Sequence, residues 1–74
     1  MTTQEQIKFA ANVTIGTEIL GHGKQILVVE KITKYGFEGY SKKWFEKSGQ
    51  KGNLVLSFET IANPHYNKDL KILN

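Results

Sequence analysis

The chain has no cysteine and no arginine among its 74 residues, a single proline and two histidines. Without cysteine there is no disulfide framework and no thiolate metal site, so packing, hydrogen bonds and any partner must stabilise it. Without arginine it lacks the side chain that chiefly reads guanine edges. That counts against base-specific recognition and leaves phosphate contact by lysine open. No apolar run approaches the roughly 20 residues that cross a bilayer, so no contact with a membrane is expected. The opening Met1-Thr-Thr-Gln-Glu-Gln6 lacks the basic and apolar regions of a signal peptide. The expected location is therefore cytoplasmic, and the sequon Asn12-Val13-Thr14 reads as accidental.

The chemistry of catalysis is also missing. Ser41, Ser48 and Ser57 have no neighbouring histidine and no nucleophile-elbow motif, and the acids are scattered singly. A fold this small has difficulty enclosing a substrate pocket of several hundred Å³. Gly21-His22-Gly23-Lys24 fails as a phosphate loop twice, at Glu18 where glycine is needed and at Gln25 where Ser or Thr is needed. It reads as a hairpin turn. His22 and His65 have no second histidine at metal-site spacing, and Glu18 beside His22 makes two ligands at most. The expectation is a protein that is not an enzyme and takes no cofactor or metal.

What is present is a folding chain: 39% hydrophobic and 11% aromatic residues argue against disorder. The length suits one domain, residues 1–74, near the lower limit for a self-sufficient core. The net charge of +3 is concentrated. Lys42, Lys43, Lys47 and Lys51 stand against Glu46 alone, while elsewhere lysines and acids cancel. Heavy use of lysine, asparagine and isoleucine fits an AT-rich genome, such as a bacterium or a phage or mobile element within one.

Thr3 and Gln6 fit a capping box, which predicts a helix from Gln4 to Asn12 with Ile7, Phe9, Ala10, Ala11 and Val13 on one arc. At that length it must dock to be stable, as a cap over the sheet or as a grip on a partner. Residues 13–74 read as strands. The expected strands are Thr17–Leu20, Gln25–Thr33 with both faces buried or a bulge near Val29-Glu30, Phe37–Lys43, Leu54 to Phe58 and Leu70–Leu73. Lys34-Tyr35-Gly36, Lys47–Asn53, Ile61–Pro64 and Asn67–Asp69 read as turns or loops. Five short strands after one helix favour a small closed barrel, which would remove exposed edges.

Ile15-Gly-Thr-Glu-Ile19, Gly23 and Ile26-Leu-Val-Val-Glu-Lys-Ile32 with Phe37 beyond resemble the opening of the SH3-like small barrels, among them Tudor, KOW and chromo-type modules. The resemblance covers the first three strands. It implies an α+β, mainly β fold: a short N-terminal helix packed on a five-stranded SH3-like β-barrel. Such barrels bind peptides, nucleic acids or other proteins, so the resemblance does not choose among ligands.

The stretch from Tyr40 to Lys51 interleaves aromatics with lysines. If it is extended, Trp44 shares parity with Tyr40, and Phe45 with Phe37, Gly39 and Ser41. Phe45 is then expected in the core and Trp44 outside among lysines. Tyr40, Lys42, Lys43, Trp44, Lys47 and Lys51 become the candidate partner-binding residues. An exposed tryptophan rimmed by lysines suits a protein interface, as in an accessory or inhibitor-type protein. Rings alternating with ammonium groups also suit single-stranded nucleic acid at low specificity. A third reading gives the rings to the barrel seal and the lysines to solubility.

Overall fold

The computed structural model of the chain describes residues 1–74, except for the side chain of His22, so the reading of that histidine lies outside the described residues. Helix α1 spans Thr3–Ala11. Its cap is Thr2, one residue earlier than the Thr3–Gln6 box expected. The Thr2 hydroxyl accepts from the Glu5 N–H and the Glu5 carboxylate accepts from the Thr2 N–H. That backbone hydrogen bond holds the Glu5 carboxyl below its ordinary pKa. The buried stripe is narrower than expected. Phe9 and Val13 are buried and Ala10 packs on the core, whereas Ile7 and Ala11 are exposed.

Strand β1 (Glu18–Leu20) turns through a short 3-10 segment, His22–Lys24, into β2 (Ile26–Thr33), and Lys34-Tyr35 turns into β3 (Gly36–Ser41). β4 is Leu54–Ser57 and β5 is Lys71–Ile72. All pairings are antiparallel and the five strands run in the order β4-β3-β2-β1-β5. The expected bulge is present: Val29 faces Gly39 and Lys31 faces Glu38, leaving Glu30 as the extra residue. Gly39 is required there, because a Cβ at that position would lie 1.8 Å from the Val28 carbonyl oxygen.

The protein is thus α+β and mainly β, with a five-stranded antiparallel sheet and four helices. The closed barrel is not seen. Among the described residues β4 pairs only with β3, and β5 only with β1. The cause lies between them, where the end of the fourth strand at Phe58, then turns and loops, were expected. Ser57 accepts from the Thr60 N–H and caps helix α3 (Phe58–Ala62), and Asn63 caps α4 (Pro64–Asn67) with Pro64 in the first turn. Asn63 itself is extended, as the residue before a proline prefers to be. The residues that a closing strand would have to come from are therefore helical, and β5 has two residues to pair with.

The register separates two faces. Ile19, Leu27, Val29, Phe37 and Gly39 point inward, where Phe9, Val13, Ile61 and Leu70 complete the core. Phe58 packs edge-on to Phe37 at 5.4 Å. Asn67, expected in a polar loop, is 1% exposed. Its amide donates to the Ile61 carbonyl at 2.7 Å and its oxygen accepts from the Met1 ammonium at 3.1 Å, so it ties three segments beneath the sheet. Glu18, Val28 and Tyr40 form a row on the outer face.

Candidate functional site

The segment Lys42–Ser48 is a helix, α2, and this overturns the extended reading of Phe37–Lys43 beyond Ser41. The local sequence accounts for it. The Ser41 hydroxyl accepts from the Trp44 N–H, none of residues 42–48 is β-branched, and Gly49 closes the helix in the left-handed region at φ 73°. Alternation stops at the cap, so the parity argument does not reach Trp44 and Phe45. Neither ring enters the core: Trp44 is 51% exposed and Phe45 37%. The exposure expected of Trp44 is found; the burial expected of Phe45 is not.

α2 folds back over the outer face of the sheet through its Lys42, Phe45 and Glu46 side. Phe45 packs on Tyr40 with ring centres 5.3 Å apart. The Lys42 ammonium meets both Glu18 carboxylate oxygens, at 2.9 and 3.2 Å. The Lys51 ammonium meets Glu30, the bulge residue, at 2.9 Å and lies 4.8 Å from the centre of the Tyr40 ring and 5.9 Å from that of Phe45. Hydrogen bonds to Glu18 and Glu30, and then the charges of those carboxylates, raise the pKa of Lys42 and Lys51 above the ordinary value.

Five of the six candidate residues therefore fall into two groups, with Trp44 between them. Tyr40, Lys42 and Lys51 belong to the seat of the helix. Lys43 and Lys47 lie one turn apart on the far side and enter no ion pair among the described residues. Trp44 stands on the flank between seat and lysines, with Gly52 of the following loop against the edge of its ring. Sequence reasoning missed Phe45, Glu18 and Glu30, which form the seat. The Ser41 cap and Gly49 stop would have signalled the helix; nothing local signals the two ion pairs, whose partners are 24 and 21 residues apart.

The serines considered as nucleophiles hold backbone. Ser41 and Ser57 cap helices, and Ser48 donates to the Trp44 carbonyl and accepts from the Gln50 N–H. Among the described residues no three His, Cys, Asp or Glu side chains are grouped to hold a metal ion. No helix among them is long and apolar enough to cross a membrane. Comparison with protein-family models, with curated proteins and with solved structures finds no match to the chain.

Proposed function

We propose that the chain is a non-catalytic protein-interaction module whose partner docks on the outer flank of α2, with Trp44 as anchor and Lys43 and Lys47 as a charged rim. The observation that carries this reading is a half-exposed tryptophan on a helix that is itself held to the sheet. A ring presented on a fixed base loses little freedom on binding, and tryptophan is among the residues that most often dominate interface energies. The free ammonium groups favour a partner with an acidic border around an apolar pocket. The SH3-like character of the module rests on its resemblance in the first three strands. Single-stranded nucleic acid is the weaker occupant, because Lys42 and Lys51 already answer carboxylates of this chain.

The test compares the full chain with Trp44→Ala as bait in an extract of the native host. The affinity of each captured protein is then measured. The anchor predicts a loss of about 30-fold, equivalent to about 2 kcal/mol, at unchanged thermal stability. A partner held equally well by both baits would remove Trp44 from the interface and this proposal with it.

A further inference from the structure

A cavity of about 160 Å³ lies on the inner side of the sheet, walled chiefly by Ile19, Leu27, Leu54, Leu56, Tyr66 and Leu70. A dry apolar cavity of roughly 150 Å³ admits a benzene-sized group. The cavity lies along the free edge of β4, and the ladder fixes what that edge offers. The Phe58 N–H donates to the Tyr35 carbonyl at 2.8 Å. Counting back along the β3–β4 register, Leu56 and Leu54 bond toward β3, while the backbone groups of Val55 and Ser57 point away from it. Among the described residues no strand pairs with that side of β4.

We propose that this edge is a docking site for one extended peptide segment of another protein, which adds a strand to β4 and places one leucine- or phenylalanine-sized side chain in the cavity. The outward backbone groups call for a strand, because an extended chain answers them at every second residue. The cavity then takes the side chain of that strand which points to the inner face, level with Leu54 and Leu56. A second copy of the chain fits poorly. Four residues of strand give an edge of about 13 Å, and pairing two such edges falls well short of the roughly 1,000 Å² that a stable interface buries. This site is on the opposite face from Trp44 and stands independently of the function proposed above.

A random heptapeptide library panned on the full chain supplies the probe, and the enriched peptides are titrated while amide and methyl NMR signals are followed. Enriched sequences should share one large apolar residue, with shifts concentrated at the Val55 and Ser57 amides and the Leu27 and Leu70 methyls. N-methylation of the peptide should cut affinity about tenfold at alternate positions and leave the intervening ones within about twofold. Val55→Pro removes an edge donor that takes no part in the ladder, a change edge strands tolerate, and should likewise cost about tenfold. If that variant does not fold, the N-methyl scan decides alone. Trp44→Ala should bind these peptides as the unaltered chain does. Failure to enrich any peptide, shifts confined to α2, or an N-methyl response without alternation would each overturn the proposal.

Discussion

α1 and α2 are both short helices with a hydroxyl cap and an aromatic residue facing the sheet, yet they are held by different forces. α1 sends Phe9 into the core, where it is 9% exposed, and α2 buries no residue. α1 is held by the hydrophobic effect. α2 is held by a serine cap, a left-handed glycine, the Lys42–Glu18 ion pair and one ring laid on another, with a second ion pair, Lys51–Glu30, in the loop that follows it. A helix whose apolar rings are left half in water is not explained by the demands of the core. The proposal that Trp44 is an anchor rests on this difference.

The contrast can be broken first at Phe9. Phe9→Ala should lower the unfolding free energy by about 3 kcal/mol, a large share of the few that a domain of this size commands; chemical denaturation measures it. Phe45→Ala removes a ring that is only partly covered and should cost about 1 kcal/mol. Equal losses would show that α2 is as much a core element as α1. The caps sharpen the difference further. Thr2→Ala and Ser41→Ala should each cost about 1 kcal/mol of helix stability. For Thr2 the loss should appear in global unfolding. For Ser41 it should appear mainly as faster amide exchange in residues 42–48 with little change in the midpoint.

The smallest effect is one of pH. Lys42 and Lys51 have pKa values raised in the folded state above 10.5, so their contribution is fully present below that value. It is lost as the pH rises through the folded values. Between pH 6 and 9 the NMR signals of α2 should not move on account of these two groups. In more alkaline solution α2 should loosen from Glu18, and the loop after it from Glu30, before α1 leaves the core. Simultaneous loss of both helices would contradict the division of forces.

All five strands were legible from alternation, apolar runs and turn residues, because burial of one face imposes the period of two. The bulge was legible as one of two readings of the four apolar residues before Glu30, the other being burial of both faces. The end of β3 was not. Tyr40 to Lys43 continues the alternation past the point where Ser41 turns the chain, and a cap residue that also fits a strand is ambiguous until its carboxyl-side stop, Gly49, is weighed with it. The open sheet was hidden similarly, since Ser57 fits the fourth strand and Asn63 a turn, but both start helices. At the candidate site, composition found Trp44 and the lysines. It could not separate Lys43 and Lys47 from Lys42 and Lys51, because only the fold brings Glu18 and Glu30 to the latter pair.

That separation bears on nucleic acid. Two free lysines predict a log-log salt slope of about −1.4 for single-stranded DNA, against about −2.8 if all four neutralised phosphates. The steeper slope would mean that the ion pairs open on binding.

The most direct measurement of the central claim is the fluorescence of Trp44, the only tryptophan in the chain. In the free protein its emission should be red-shifted and quenched by iodide, and Trp44→Ala should leave the unfolding free energy within about 0.5 kcal/mol. A blue-shifted emission that iodide does not reach, with Trp44→Ala unfolding the domain, would place the ring in the core and leave α2 with nothing to present.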